Sequence, residues 1–308
     1  MESHSSTLQV STMEEQIRDA LAAVEQRLLQ VVQSEVTVLH EASLHLLEAG
    51  GKRLRPRLTL LSHLAVGGEQ LADAIHVATA VELMHSASVV HDDINDHGLV
   101  RRGRPSINAV WGRTFALLTG DFLFTKVYEL MAPYGDLNIE LARAAVALVE
   151  GETLQASAVA DNSLNRGTYL RIISLKTAAL FQAAASMGAS MVAKDAWAAA
   201  LGEFGYHLGM AFQITDDILD LTSTDQTLGK TVGRDRQQGK GVAAIQNSKE
   251  LDVLTRKLLE NEGAAIKAGR AQSAQHIAKA GKAICNLPDT AAKHELLDLA
   301  NFIVHRQT

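Results

Sequence analysis

The stretch that decides the fold is residues 71–96, which run LADAIHVATAVELMHSASVVHDDIND. Its apolar residues recur at intervals of three and four, which is the spacing of a buried helical face. The stretch ends in the acidic cluster Asp92-Asp93-Ile94-Asn95-Asp96. We therefore predict a core helix over Leu71–Asp96 that presents the carboxylates of Asp92 and Asp96 on one face, because residues four apart are neighbours on a helix.

The same helical spacing continues through most of the chain, while alternating strand-like segments are nearly absent and there are only 4 prolines. We predict an all-α fold, a single large bundle of roughly ten or more helices around a central cavity. The other predicted helices are Thr12–Gln33, Leu54–Ala65, Gly120–Ala132, Ile139–Val159, Arg166–Met191 and Asp195–Leu221. Because no Pro/Gly/Ser-rich linker divides the chain, residues 1–308 are predicted to form one domain, with Ser223–Gly241 as a glycine-bearing loop.

Composition excludes several classes of function. The net charge of -6 argues against a nucleic-acid-binding protein, which needs a basic face to neutralise phosphates. The single cysteine, Cys285, allows no internal disulfide and no thiolate metal cluster, so a reducing cytoplasm is expected. The polar start of the chain resembles no secretory signal, and no run of about 18 apolar residues occurs, so membrane contact is expected to be peripheral at most.

A second acidic motif, Asp216-Asp217-Ile218-Leu219-Asp220, repeats the spacing of the first and also follows an apolar helical run. Two carboxylates about 4 Å apart repel by roughly 4 kcal/mol at an effective dielectric constant of about 20, so carboxylates meeting in one cavity would favour bound cations. Hard oxygen ligands select Mg²⁺ or Ca²⁺. One such motif alone is a weak signal, because a solvated acidic helix end has the same sequence.

Basic residues cluster at two turns: Gly50-Gly51-Lys52-Arg53-Leu54-Arg55-Pro56 and Arg101-Arg102-Gly103-Arg104-Pro105. Arg offers a rigid fork of donors for phosphate oxygens, and Lys offers a flexible point charge, so these turns are typical of diphosphate sites. Solvated basic loops are the alternative for either cluster alone. Together with the carboxylates, they suit a diphosphate that is held partly through bridging Mg²⁺ and partly by direct contacts.

With these motifs in this order, the chain strongly resembles the trans-isoprenyl diphosphate synthase family, also called polyprenyl synthetases, over about Gly50 to Lys240. The resemblance implies the isoprenoid synthase type of helical bundle, Mg²⁺ as cofactor and a homodimer. It also implies that the enzyme condenses isopentenyl diphosphate with an allylic diphosphate to make an elongated all-trans polyprenyl diphosphate.

The resemblance assigns roles to matching positions. Residues matching the isopentenyl diphosphate site are Lys52, Arg55, His85 and Arg102. Residues matching the allylic diphosphate site are Arg101, Lys176, Thr177 and Gln213, with Asp92, Asp96, Asp216 and Asp220 as Mg²⁺ ligands. Lys230 and Lys240 match the lid over the diphosphates, and the family pattern is lost after Lys240, where Gly241-Val242-Ala243-Ala244 stands in place of the usual Thr and Pro.

The implied catalytic residues are Asp92, Asp96, Arg101, Lys176 and Asp216, which would stabilise the departing diphosphate while the isopentenyl double bond attacks the allylic cation. No protein nucleophile is required. Product length should depend on the helix below the first motif. In this family a large aromatic residue at the position of Ala87 accompanies short products, so its absence predicts roughly six to eight isoprene units, given about 5.4 Å per helical turn.

Other classes of protein remain as alternatives. Glu82 and His85 have the E-x-x-H spacing of a helical di-metal oxidase, but a second such pair is missing. Gly229-Lys230-Thr231 suggests a P-loop, which fails because Thr224 stands where that motif needs glycine. A catalytically silent or partner-dependent subunit that binds polyprenyl diphosphates is the main alternative. A head-to-head synthase or terpene cyclase is disfavoured by the second, isopentenyl diphosphate site.

Overall fold

Helices form nearly all the regular structure of the described chain. A computed structural model describes residues 2–192, 196–222 and 262–305. The α-helices are α1 Glu2–Val31, α2 Thr37–Glu48, α3 Leu54–Ala65, α4 Ala72–Asn95, α5 Ile107–Met131, α6 Gly135–Ala160, α7 Arg166–Ile173, α8 Ala179–Ser190, α9 Ala196–Thr222, α10 Glu262–Ala283 and α11 Ala291–His305. A 3₁₀ turn, Ala132–Tyr134, lies between α5 and α6. The predicted all-α class is confirmed, and the predicted loop Ser223–Gly241 lies outside the described residues.

Three predicted helices match the structure closely. The bounds of α3 agree with the prediction at both ends, and those of α4 and α9 differ by one residue at each end. The helix predicted from Gly120 begins much earlier, at Ile107, where the Ser106 side chain accepts a hydrogen bond from the backbone N–H of Ala109. Gly112 interrupts this helix with φ 80° and ψ 168°, and the interruption hides the helical period of its first turns. Helix α2 was not predicted at all.

The segment predicted as one helix over Arg166–Met191 is three consecutive elements. Between α7 and α8 the chain forms a π-helical turn over Ser174–Ala178. A π-turn inserts one extra residue into a helix and occurs frequently at functional sites. Here it contains Lys176 and Thr177, two of the residues assigned to the allylic site.

The chain divides into two compact units that alternate along the sequence. The first unit comprises Met1–Leu141, Ala184–Leu201 and Leu287–Leu296. Within it, α4 packs against α5, α3 and α1, and Met84 and Ala87 of α4 are buried. This packing fixes the end of α4, where the first acidic motif lies. The single-domain organisation stays a prediction.

The second unit comprises Ala142–Ala183, Gly202–Asn286 and Leu297–Thr308. Its core includes Ala158, Leu164, Tyr169, Ile172, Ile173, Ala178, Met210, Ile214 and Ile218. Ile214 lies on α9 just before the second acidic motif and Ile218 lies within it, so apolar packing holds that part of the helix.

One stretch of the described chain, Arg166–Ser190, is long and apolar enough to cross a membrane by length and composition. However, 67% of its most apolar window is buried within the protein. Burial of this extent is typical of a core helix.

Candidate active site

The first acidic motif lies where α4 ends. The backbone N–H of Asp96 donates to the carbonyl of Asp92 at 2.8 Å, so these residues lie one helical turn apart on one face and both are half-buried. Asp93 points elsewhere and is buried, with its Oδ1 atom 3.8 Å from Nη1 of Arg101. Arg101 therefore lies beside the motif, in position to contact an anion bound there.

A short β-hairpin presents the second basic cluster. Strand β1, Val100–Arg101, pairs with antiparallel β2, Arg104–Pro105, around the two turn residues Arg102 and Gly103. Both turn residues have positive φ, 50° and 73°, as a type I′ turn requires. Gly103 adopts this geometry without strain, whereas Arg102 must be held in it by its surroundings.

Arg102 lies directly against the G-G-K turn. A Cβ atom placed on Gly51 would come within 2.9 Å of Nη1 of Arg102, so a larger residue at this position would displace the end of the Arg102 side chain. Although Arg102 as a residue is exposed, desolvation lowers the pKa of its guanidinium, and Arg101 and Arg53 lower it further. The two basic clusters, far apart in sequence, therefore meet.

A small cavity, partly open to solvent, lies between the two basic clusters and α4. Its lining residues are Leu46, Ala49, Arg53, His85, Ser86, Val89, Arg101 and Arg102. The pKa of His85 lies well below its ordinary value, mainly because of desolvation and then because of nearby Arg55, Arg101 and Arg102. His85 is therefore neutral at pH 7, and the cavity is a positively charged site that suits an anion such as a diphosphate.

Arg53 has a structural role that the sequence analysis missed. It is buried, and its guanidinium donates to Glu25 at 2.5 and 2.9 Å, to Glu82 at 2.8 Å and to the carbonyl of Leu47 at 3.3 Å. Burial lowers the pKa of Arg53, but the two carboxylates outweigh this effect and raise it overall. Glu82 is engaged with Arg53, which removes the support for a di-metal oxidase. The sequence carried one signal for this role, namely Glu82 itself. A glutamate in a buried apolar run needs a compensating positive charge, because an uncompensated charge there is too costly.

Lys176 lies in the π-turn of the second unit. Its ammonium group forms an ion pair with Glu152 and donates to Oε1 of Gln155 at 3.4 Å. Both partners belong to α6, one helical turn apart. Neither Glu152 nor Gln155 was among the site residues predicted from the sequence, although an i, i+3 pair of polar residues in an apolar helix is a visible signal.

A chain of hydrogen bonds joins the π-turn to the second acidic motif. Thr177 donates to Oε1 of Gln213 at 2.8 Å, and Nε2 of Gln213 donates to Oδ1 of Asp217 at 2.8 Å. The hydroxyl of Tyr169 donates to the other oxygen of Asp217 at 2.6 Å. Buried Asp217 thus organises this site, a role that the sequence analysis missed because Tyr169 is distant in sequence.

Asp216 and Asp220 of the same motif lie one turn apart on α9, Asp216 half-buried and Asp220 buried. Within the described residues, no three His, Cys, Asp or Glu side chains converge as a complete metal-ligand set. Mg²⁺ does not need such a set, because it usually takes one or two carboxylates together with water and substrate phosphate oxygens. The carboxylate pairs therefore fit Mg²⁺ that is bound together with a diphosphate.

Comparison with known proteins decides the family. A family model described as "Polyprenyl synthetase" matches residues 36–279. The chain belongs to the polyprenyl synthetase family. It is 46% identical to heptaprenyl diphosphate synthase component 2 of Geobacillus stearothermophilus, over 72% of this chain and 70% of that protein. It is 31% identical to octaprenyl diphosphate synthase of Escherichia coli K12, over 93% of this chain and 95% of that protein.

Solved structures of other polyprenyl synthetases have the same fold. The polyprenyl synthase of Caulobacter crescentus CB15, complexed with calcium and isoprenyl diphosphate, matches with a TM-score of 0.87 at 32% identity, over 97% of this chain and 98% of that one. Heptaprenyl diphosphate synthase of Staphylococcus aureus gives a TM-score of 0.86 at 32% identity, over 95% and 99% of the two chains. The resemblance drawn from the motifs is confirmed, and with it the prenyltransferase class of this enzyme. Lys230 and Lys240, the predicted lid residues, lie outside the described residues.

Proposed function

We propose that this polyprenyl synthetase condenses isopentenyl diphosphate with an allylic diphosphate, forming an elongated all-trans chain and releasing diphosphate. The main support is the cavity lined by Arg101, Arg102, neutral His85 and the carboxylate-paired Arg53, in which Arg101 and Arg102 supply the positive charge beside the first acidic motif. Such a site suits a small, highly charged anion. Of the assigned isopentenyl diphosphate ligands, His85 and Arg102 line this cavity, and Lys52 and Arg55 flank Arg53 in the sequence.

The allylic diphosphate is the second substrate in this proposal. The family resemblance assigns Arg101, Lys176, Thr177 and Gln213 to this substrate, and Lys230 and Lys240 to a lid. Asp92 and Asp96 in the first unit, and Asp216 and Asp220 in the second, would hold Mg²⁺. When bound, Mg²⁺ supplies charge neutralisation to the diphosphate oxygens. The carboxylate pairs support this assignment, because Mg²⁺ is a hard cation that prefers oxygen ligands.

The reaction needs no protein nucleophile. The allylic C–O bond breaks, and its electron pair leaves with the diphosphate, whose growing negative charge Arg101 and Lys176 stabilise. The double bond of isopentenyl diphosphate supplies the electrons of the new C–C bond. A proton then leaves the adjacent carbon for the released diphosphate, and a new double bond forms. Orientation by the arginines and exclusion of water account for most of the catalysis.

The product is proposed to be of medium to long chain, roughly six to eight isoprene units by the helical-turn argument. Ala87, one turn or so below Asp92 on α4, is small, and Met84 lies a further turn away. The names of the heptaprenyl and octaprenyl relatives agree with this length.

The active form is proposed to be a homodimer in the cytoplasm, with at most peripheral membrane contact and no nucleic-acid partner. Helix α5 supports self-association, because it leaves several large apolar side chains exposed: Val110, Phe115, Leu117, Leu118 and Tyr128. Exposed apolar patches of this kind mark association sites in soluble proteins. Size-exclusion chromatography with light scattering tests this proposal, and a monomer would contradict it.

A partner-dependent subunit is the second candidate function. The name of the relative from Geobacillus stearothermophilus, component 2, supports it. If the purified chain alone converts isopentenyl and allylic diphosphates into product, it is a synthase by itself. If it binds these diphosphates but makes no product, it is a partner-dependent subunit.

The anion site is tested with Arg102→Lys, with Arg104→Lys in the same hairpin as the matched control. Loss of the guanidinium fork removes charge-assisted hydrogen bonds worth about 1.5–3 kcal/mol, which corresponds to about 10–100-fold. We expect the KM for isopentenyl diphosphate to rise by that factor in Arg102→Lys and to change little in Arg104→Lys. Equal KM values in the two variants would contradict the site.

A further inference from the structure

Helices α9 and α10 meet in the second unit at two histidines that the proposed reaction does not use. Nδ1 of His207 lies 3.0 Å from Nδ1 of His276, and the ring centroids are 5.1 Å apart. One imidazole can donate a hydrogen bond to the other at this distance only if the accepting nitrogen is unprotonated. The two rings therefore direct one nitrogen each at a common point between the helices.

Both imidazoles are neutral at pH 7. Desolvation lowers the pKa of His276 to about 4, with further contributions from His207 and Lys279. Desolvation also lowers the pKa of His207, with Lys279 acting in the same direction and Glu203 against it. A neutral imidazole is the protonation state that binds metals.

We propose that His207 and His276 form a binding site for a divalent transition metal of the Zn²⁺ type, with their two Nδ1 atoms as ligands. With Zn–N bonds of about 2.0–2.1 Å, two nitrogens on a tetrahedral ion lie about 3.3 Å apart. The 3.0 Å separation in the protein is within a few tenths of an ångström of that value. Small rotations of the two rings suffice to admit the ion.

The surroundings of the pair agree with a metal site. Oε1 of Glu203 lies 4.0 Å from Nε2 of His207, the nitrogen that faces away from His276, which is beyond direct hydrogen-bond distance. A rotation of the exposed Glu203 side chain would bring the carboxylate to this nitrogen, where metal-binding histidines commonly have one. Glu203 is also exposed, so the site opens to solvent on that side.

Two neighbouring polar groups limit the affinity of this site for a metal ion. Lys279 brings a positive charge close to both rings. The hydroxyl of Tyr206 adds no ligand, because it is engaged with Ser174 at 3.1 Å. Within the described part of the chain, no third His, Cys, Asp or Glu completes the ligand set, so water supplies the remaining ligands. The site should therefore discriminate between metal ions through its imidazole ligands, which favour Zn²⁺, Cu²⁺ or Ni²⁺ over Mg²⁺.

The test is a Zn²⁺ titration of the full chain after metal removal, in excess Mg²⁺ and against a chromophoric chelator. The variants are His207→Ala and His276→Ala, with His76→Ala on α4 as the matched control. We expect each site variant to bind one Zn²⁺ equivalent at least about tenfold more weakly than wild type, because even loss of an outer-shell partner costs about 10–100-fold. The control should bind as wild type does.

Thermal unfolding with and without Zn²⁺ separates a metal site from a structural hydrogen bond. Zn²⁺ should raise the Tm of wild type and of His76→Ala, because a ligand that binds the folded state stabilises it. Zn²⁺ should not raise the Tm of His276→Gln. His276→Gln keeps a polar group in place and guards against a folding defect. Equal Zn²⁺ binding in wild type and both alanine variants would overturn the proposal. So would a Zn²⁺-dependent Tm shift that persists in His276→Gln.

Discussion

Arg53 shows how a single buried cation organises the first unit. Its neighbours in the sequence, Lys52 and Arg55, are assigned to substrate, whereas Arg53 itself points inward and binds Glu25 and Glu82. The positive φ of Arg53, 46°, places it at the turn that begins α3. The ion pairs thus fix the backbone from which the substrate-binding side chains project.

Glu82→Gln should destabilise the protein. It removes one of two charges that compensate the buried guanidinium of Arg53, and disruption of a buried pair of this kind costs about 3–5 kcal/mol. The matched control is Glu129→Gln, which breaks the ion pair with Lys126 on an exposed surface and should cost at most about 1 kcal/mol. Urea unfolding measures both. Similar losses in the two variants would mean that Arg53 does not depend on Glu82.

His85 should stay neutral in the free enzyme and gain a proton when a diphosphate binds. Its folded-state pKa lies below the unfolded value, so its contribution to stability is complete above about pH 6.5 and declines as the pH falls below that value. A bound diphosphate adds negative charge and raises the pKa. NMR titration of labelled histidine rings measures this, with His85→Gln for assignment. A ligand-free resonance that titrates near pH 6.5 would contradict the charged cavity.

At the residue scale, the sequence predicted which helical face a side chain occupies better than it predicted which residues that side chain contacts. Asp92 and Asp96 share a face, as their spacing requires. In contrast, the roles of Asp217 and Glu152 depend on Tyr169 and Lys176, which lie on other elements. Helical periodicity indicates which face a side chain occupies and does not indicate what lies opposite it.

Among the elements, the π-turn Ser174–Ala178 affects the site most. It packs tightly on α6 through Gly151, where a Cβ atom would lie 2.7 Å from the backbone nitrogen of Lys176. The sequence could not predict the turn, since one inserted residue barely changes the apolar pattern of Arg166–Met191. By contrast, α3 was predicted at both ends because a dense apolar run follows Pro56, which favours the first turn of a helix.

Gly151→Ala should therefore displace the π-turn. Forcing a methyl group into this contact costs about 1–3 kcal/mol, and kcat should fall as Lys176 moves. Gly281→Ala on α10 is the control, because there a Cβ atom meets only Leu297, at an ordinary 3.7 Å. Alanine in a helix favours folding by about 0.5–1 kcal/mol over glycine, so the control should be neutral or stabilised. An unchanged kcat in Gly151→Ala would argue against a role for the turn.

Ala87→Tyr tests whether α4 sets product length. Ala87 is buried in the first unit, and a tyrosine here would occupy space below the first motif. We expect shorter products by chromatography, with unchanged length in Ala87→Ser. Unchanged length in folded Ala87→Tyr would refute this role of α4. Overpacking costs about 1–3 kcal/mol, so thermal unfolding must show that the variant is folded.

For the whole molecule, the helical spacing of apolar residues was sufficient to predict the all-α class. The family was predicted because repeated acidic motifs and two basic turns are unusual in combination. It did not predict the division into two units, whose segments alternate along the chain. Such an arrangement arises from contacts between distant segments, for which no linker or composition change gives a signal.

The most direct test of the central claim is incubation of the purified full chain with radiolabelled isopentenyl diphosphate and, separately, dimethylallyl, geranyl, farnesyl or geranylgeranyl diphosphate. Each reaction is run with Mg²⁺ and with EDTA, and the products are separated by chain length. We predict elongated products of roughly six to eight isoprene units that form with Mg²⁺ and disappear with EDTA. Absence of product with every allylic primer, from folded protein that still binds diphosphate, would contradict the claim that this chain is a synthase on its own.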